Sequence, residues 1–509
     1  MTWTTSRGWD DVIVGAGSAG AALAARLSER PDRRVLLLEA GVDRAYPERA
    51  ADVPLMDGFH WDYSAHIAGP GAGREYPYRV GRLVGGSSAV NGALALRGLP
   101  ADFDSWAAAG NPDWAWERVL PFYAALEADA DFGGGPGHGA AGPVPIRRDA
   151  ELAPVAAGFL RACAALGLPE VADLNGADTG AGAGRIPRNA VHGRRMSTTE
   201  AYLASARDRP NLAVWPGCQV ARVVVEGGRA RGVEVVQDGR VATVGCDRVT
   251  LSAGAIGTPA ILQRSGIGPA GRLSALGVRP VADLAGVGAG LVDHPFIALW
   301  AEAAEGACRP GDPLHQVLAR LPGAGGAPEL SVTLLNNVTD LAVPMIGGLL
   351  RGRTGVSLSA ALLRPESRGS VALRDADPGT PPVIALRLAS ADRDVEGLMA
   401  GVRAVWSLAR DGALAPLLRR VFLWTARMVE DEAMLRASVP RFVCPSWHPA
   451  GTARMGPAHD AGAVVDERLR VHGVADLQVV DASVMPAIPS APTNLTCMML
   501  AERAAEWMK

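Results

Sequence analysis

His448 stands between Trp447 and Pro449 in the stretch PSWHPAGTARMG, Pro445 to Gly456. The prolines and glycines around it read as loop. An imidazole has a reference pKa of about 6.5, so it can take a proton near working pH. A loop histidine can also be an ordinary solvated side chain, and the stretch alone does not separate the two. His459 and His472 lie outside it and read as solvated or structural. The six cysteines, at 163, 218, 246, 308, 444 and 497, include no C-x-x-C pair. That spacing suits neither a disulfide framework nor a zinc site, and no metal site is expected. Cys444 and Cys497 read as small core residues.

A second chemical signal lies near the N-terminus, in DVIVGAGSAGAALAARLSERPDRRVLLLEAG. Val12 to Val14 is a short apolar strand, and Gly15, Gly17 and Gly20 fit G-x-G-x-x-G. The first glycine allows a tight turn, the second lets backbone approach a pyrophosphate, and the third lets helix pack on strand. The Ala-rich helix from about Ala19 to Leu27 points its N-terminus at the phosphates. A second strand, Val35 to Leu38, ends at Glu39, about 20 residues past Gly20, where an acid grips ribose hydroxyls. Strand, turn, helix and acid together predict a dinucleotide site. They do not separate NAD from FAD.

The elements that must position these groups fill a chain of 509 residues, long enough for two lobes. Hydrophobic residues make up 48% and charged residues 20%, ordinary values for a chain with a sizeable core. The net charge is −3 and no basic run stands out, so nucleic-acid binding is not expected. Asp10 and Asp11 precede the first strand without an apolar h-region, which argues against a signal peptide. No apolar run is long enough to span a bilayer. A reduced, cytoplasmic protein is the expectation.

Three more segments complete a pattern. GRLVGGSSAVNGALALRG, Gly81 to Gly98, is a second Gly/Ser-rich turn. VTLSAGAIGTPAILQRSGIGP runs from a strand into a helix beginning near Pro259. LQVVDASVMPAIPSAPTNLTCMMLAERAAEWM gives a strand ending at Asp481, a proline-rich turn and a C-terminal helix. With the fingerprint and the His448 loop, in this order over nearly the whole chain, these segments resemble the glucose-methanol-choline (GMC) oxidoreductases. These are flavoproteins that oxidise alcohols. RGLPADFDSW and HGAAGPVPI look most like the branch of bacterial 5-hydroxymethylfurfural oxidases.

The resemblance implies an α/β fold: a Rossmann-like FAD-binding lobe and an α+β substrate lobe with an antiparallel sheet. The FAD lobe is expected over 1–150, 195–295 and 440–509, and the substrate lobe over 151–194 and 296–439. FAD is the implied cofactor. Gly15, Gly17, Ser18, Ala19 and Gly20 would hold its pyrophosphate, Glu39 and Ala40 its ribose, and Val220 its adenine. Val84, Asn91, Gly92, Ala93 and Leu94 would stand on the flavin side, with Trp447, Asp481, Ala482 and Leu495 on the late return to the cofactor. Some choline-oxidising members link flavin to a histidine just before the Asn91 position. Val90 stands there in this chain, so FAD is expected without a covalent link. His448 matches the family's base, and Asn494 matches the second active-site position, holding the substrate oxygen.

The implied reaction is oxidation of a primary alcohol to the aldehyde, with electrons passed to oxygen. The alternatives are an FAD-dependent dehydrogenase using a quinone or protein acceptor, and a non-redox hydroxynitrile lyase on the same fold. VSLSAALLRP, Val356 to Pro365, reads as a strand near the flavin face. Ser357, Ser359 and Ala361 share one side of it. If that side lines the pocket, a bulky or aryl alcohol is expected. If it does not, the small residues let two sheets pack closely.

Overall fold

Strands buried on both faces read as unbroken apolar runs, because layers of chain cover them above and below. VLLL, Val35–Leu38, is such a run, and all four residues are buried. The computed structural model describes residues 8–44, 58–68, 74–176, 180–309, 311–323, 325–339 and 348–509. In it, β1 (Trp9–Val14) and β2 (Val35–Leu38) lie side by side in a parallel sheet. β3 (Leu212–Trp215) flanks β2, also parallel. β4 (Gln219–Glu226), β5 (Arg229–Gln237) and β6 (Arg240–Leu251) form an antiparallel meander. The long β6 joins the two parts, since its C-terminal half runs parallel to β1 and to Leu477–Val479.

α1 (Gly20–Leu27) follows the glycine turn after β1. α2 (Gly254–Arg264) follows β6, and α3 (Thr493–Met508) closes the chain and packs on α1. Arg26 of α1 ties the two helices by an ion pair to Glu502 at 2.8 Å. α2 starts at Gly254, five residues before the proline at which the sequence suggested a start. Proline inside a helix leaves the carbonyl four residues back without its usual donor. Here that carbonyl belongs to Ala255, and the Thr452 hydroxyl takes it at 2.7 Å. The helix can therefore run through Pro259.

β7 (Pro295–Ala303), β8 (His315–Pro322), β9 (Pro328–Val338) and β10 (Gly355–Leu362) build a second sheet. Its order is Leu418–Phe422, β7, β10, β9, β8, Gly182–Arg185, antiparallel throughout. Side chains alternate along β10. Leu358, Ala360 and Leu362 enter a core with Val395, Leu398, Met399 and Val402 of the helix Asp392–Arg410. A smaller sheet pairs the hairpin His60–His66 and Glu75–Gly81 with Val383–Ala385 and Gly369–Ala372. That hairpin falls in the stretch expected with the FAD lobe, yet its Ala65 and Tyr78 sit in the second core.

No helix among the described residues is long and apolar enough to cross a membrane. All six cysteines are unpaired.

The turn after β1 sets a strict size limit. A Cβ on Gly20 would lie 2.0 Å from the Gly15 carbonyl oxygen. Gly20→Ala is expected to lower stability by about 2 kcal/mol or more, as overpacking of this kind does. Gly271→Ala, where a Cβ meets nothing within 4 Å, is the control and should hold or raise stability. Urea denaturation of both variants checks this, and equal midpoints would count against it.

Candidate active site

The ends of β1 and β6 come together at the glycine turn. Ser252 N donates to Val14 O at 2.7 Å, and Gly15 N donates to Leu38 O at 2.7 Å. Gly15 has φ of +99°, and a Cβ there would lie 2.5 Å from Ser252 O. The second turn sits directly on the first. Gly85 N donates to Ala16 O at 2.8 Å, and a Cβ on Gly86 (φ +50°) would lie 2.6 Å from Gly17 Cα. Both turns need glycine because backbone meets backbone with no room between.

Above these turns opens a cavity of about 1280 Å³. It exceeds the roughly 300–1,000 Å³ of ordinary small-molecule pockets, room for a dinucleotide beside a second molecule. Gly15, Gly17, Ser18, Ala19, Glu39, Ala40 and Val220 line it at one end, and the N-terminus of α1 opens into it. The Glu39 carboxylate accepts from Ala16 N at 3.0 Å and Gly41 N at 2.8 Å. Burial pushes its pKa up to about 7, against the pull of those two N–H groups and of Arg82. A buried acid so placed gains from further hydroxyl donors, as a ribose supplies. Asn91, Gly92, Leu94, Trp447, Asp481 and Ala482 also line the cavity. Gly20, Val84, Ala93 and Leu495 do not; they are buried behind its wall.

Asp481 is held by four donors. Its carboxylate accepts from Ser483 N, Ser483 Oγ, Gly254 N and Thr258 Oγ1 at 2.5–2.9 Å. It thus pins the start of α2 to the late C-terminal return, and burial raises its pKa.

His448 is positioned by the segment that leads into β7. Cys444–Pro445 pairs with Pro295 and Phe296, and Ser446 N donates to His294 O at 3.1 Å. Trp447 then takes φ of +57°, an uncommon value for a non-glycine residue, and is 42% exposed beside Tyr76. Asp293 accepts the backbone N–H of His448 at 3.0 Å on one oxygen and the Tyr78 hydroxyl at 2.6 Å on the other. The buried Asp293 carboxyl is pushed up to about 7 by desolvation, which these donors oppose.

The imidazole of His448 meets that of His294, Nδ1 to Nδ1 at 3.0 Å, with the rings at 81°. One of the two nitrogens must carry the proton of this bond. Burial, then the neighbouring His294, hold His448 well below the usual histidine range. Burial brings His294 down to about 4, while the carbonyls of Pro489 and Leu363 facing the ring work the other way. Both rings are therefore neutral at pH 7. A neutral imidazole that donates through Nδ1 keeps a lone pair on Nε2.

Asn494 stands in the first turn of α3 and lines the same cavity. Its Oδ1 accepts from Ser18 Oγ at 2.7 Å, which ties it to the glycine turn. The ring partner of His448 is His294, a residue that the sequence did not single out. DHP at Asp293–Pro295 carries no spacing or period that marks it. Of the expected small face on β10, Ser359 and Ala361 line the cavity. Ser357 is fully buried, with its hydroxyl 3.0 Å from that of Ser359. Gly92 and Ser446 also reach the cavity.

Glu127, Asp129 and His138 form a group with metal-ligand spacing. Glu127 is already paired with Arg97, and Asp129 with Arg148. The group is a buried ion-pair network.

Comparison with known proteins agrees with this architecture. The two halves of the GMC oxidoreductase family model match residues 9–296 and 365–501. A 5-(hydroxymethyl)furfural oxidase from Methylovorus sp. (strain MP688) is 39% identical, covering 98% of this chain and 98% of that protein. A glucose dehydrogenase (FAD, quinone) from Drosophila melanogaster is 32% identical, covering 98% of this chain and 87% of that protein. The crystal structure of pyridoxine 4-oxidase from Mesorbium loti superposes with a TM-score of 0.89 at 34% identity, over 98% of this chain and 99% of that one.

Asp293 is the group on which His448 hangs, so removing one of its donors should register. Tyr78→Phe is expected to cost about 1–2 kcal/mol in denaturant unfolding, because the buried carboxylate loses a partner. An unchanged midpoint would mean that the Tyr78 hydroxyl gives Asp293 no support.

Proposed function

The chain belongs to the GMC oxidoreductases, FAD-dependent enzymes that act on alcohols, and on that premise we propose that it oxidises a primary alcohol to the aldehyde, with His448 as base and oxygen as electron acceptor. The observation that carries this reading is the neutral His448–His294 pair on the wall of a cavity whose far end is the glycine turn.

FAD, when bound, supplies the acceptor for the hydride that leaves the carbinol carbon. Gly15, Gly17, Ser18 and Ala19 would hold its pyrophosphate, Glu39 its ribose, and Asn91 and Gly92 its flavin side. Val90 offers no group for a covalent link, which supports a cofactor held by contacts alone. The chain's own part is to take the hydroxyl proton. His294 accepts the Nδ1 proton of His448, which leaves Nε2 of His448 as the acceptor for the alcohol. Asp293 keeps the His448 backbone in place, and the Trp447 kink turns the loop inward. Proton transfer to a positioned base contributes roughly 100- to 10,000-fold in such reactions.

Asn494 supports two tasks: its Oδ1 steadies the turn through Ser18, and its amide N–H groups remain to donate to cofactor or substrate oxygen. Ser359 and Ala361 of β10 put small side chains on the cavity wall beside the aromatic Phe296 and Trp300, which supports a bulky or aryl alcohol. The oxidase relatives, at 39% and 34% identity, support oxygen over a quinone as acceptor.

Anaerobic mixing with a panel of alcohols, watched through the flavin spectrum, tests the reaction. Bleaching by an aryl primary alcohol and recovery on admitting oxygen is the expected result; no bleaching by any alcohol would end the reading. His448→Ala should lower turnover by about 100- to 10,000-fold with FAD still bound. Asn494→Ala should lose FAD more readily than it loses turnover per bound flavin.

The pH profile follows from the direction of the His448 shift. The base form is the neutral ring, and a depressed pKa keeps it neutral as pH falls. The acid limb of kcat/KM is therefore expected below the reference histidine value of about 6.5. A limb above that value would assign the base to another group.

A further inference from the structure

The second sheet turns one face toward the cavity, and strand register sets its pattern. Arg320, Ser331, Ala361 and Phe296 stand side by side in one row across β8, β9, β10 and β7. All four line the cavity, and the next row adds the hydroxyls of Thr333 and Ser359. Phe296 pairs with Cys444 at the foot of the His448 loop. Strands lie about 4.8 Å apart, so Arg320 is about 14 Å, three strand spacings, from the Phe296 end of its row at the Cα level. A long side chain spans part of that gap.

Arg320 is 2% exposed. Nη1 donates to the Leu174 carbonyl at 2.9 Å, but Nη2 is buried and has no hydrogen-bond partner among the described residues. The carboxylates whose field reaches it, Asp102 and Asp173, are engaged elsewhere. Asp102 accepts from Leu99 N, Ser490 N and Ser490 Oγ. Asp173 faces Arg148 and His138. Burial brings the guanidinium down to about 10, so it remains a cation at pH 7. The carboxylates that line the cavity are Glu39, Asp62 and Asp481, and none comes from the sheet that carries Arg320. A buried cation without a paired anion is costly, and a bound anion relieves that cost.

We propose that Arg320, with the Ser331 hydroxyl beside it, is the anchor for a carboxylate on the substrate, so that the enzyme's preferred alcohols carry an anionic group several atoms from the carbinol. This rests on the alcohol-oxidising reading and narrows it to a substrate class. The carboxylate would take the free guanidinium nitrogen while the hydroxyl meets His448.

The test compares 4-(hydroxymethyl)benzoate with its neutral methyl ester, in the FAD-loaded enzyme and in Arg320→Met and Arg320→Lys. The wild type should prefer the benzoate by about 10-fold or more in kcat/KM. Arg320→Met should lose about 30-fold or more on the benzoate, as loss of a buried charge partner does, and stay within about 3-fold on the ester. Arg320→Lys should restore part of the benzoate activity. Equal losses on both substrates would make Arg320 a structural tie to Leu174 and overturn the proposal, as would a wild type that prefers the ester. Should Arg320→Met not fold, inhibition of the wild type by benzoate and by benzamide decides: stronger inhibition by benzoate supports the anchor, and equal inhibition overturns it. If neither alcohol bleaches the flavin, the alcohol-oxidising reading fails separately, while perturbation of the flavin spectrum by benzoate, lost in Arg320→Met and partly kept in Arg320→Lys, still reports the anchor, and a perturbation unchanged in Arg320→Met overturns it.

Discussion

Backbone touching backbone, with no side chain between, sets the shape of the glycine-turn end of the cavity. Gly15 lies against Ser252 at the end of β6, and Gly17 lies against Gly86 of the second turn. These approaches bring the ends of β1 and β6 to one point and lay a distant loop over it. The cavity opens there because the strands end there, at the carboxyl edge of a parallel sheet. Glycine bears the conformational cost, and the size limit leaves little freedom for any other residue.

The rest of the site is organised by buried carboxylates that must be given donors. Asp481 collects four and thereby fixes α2 against the C-terminal return. Asp293 collects the Tyr78 hydroxyl and the backbone of His448. Each residue joins parts of the chain that are far apart in sequence, since Asp293 lies 155 residues before His448 and 215 after Tyr78. Thr452 does similar work for the carbonyl that Pro259 frees in α2. Such groups are unforgiving, because a buried polar atom left alone costs more than its hydrogen bond returns.

Desolvation then decides the protonation states. It keeps His448 and His294 neutral, which is the state that a proton acceptor needs. The same burial leaves Arg320 a cation with one unmatched nitrogen on the wall of the same cavity.

The sequence by itself determined the features that depend on neighbours along the chain. G-x-G-x-x-G with its flanking strand and helix is local geometry, so the turn, α1 and Glu39 were legible, and the alternation on β10 marked Ser357, Ser359 and Ala361, of which the last two reach the cavity. The stretch around His448 was legible by itself only as a loop, and the histidine drew its expected role from the resemblance carried by the other segments. Tertiary structure alone decided the partners. His294 meets His448 across 154 residues, and Ser18 claims the Asn494 carbonyl across 476. The strands His60–His66 and Glu75–Gly81 join the second core through a parallel partner, Val383–Ala385, more than 300 positions along the chain. Pairings of this kind leave no period or spacing in the sequence, because they are chosen by which surfaces the folded sheets bring within hydrogen-bonding distance.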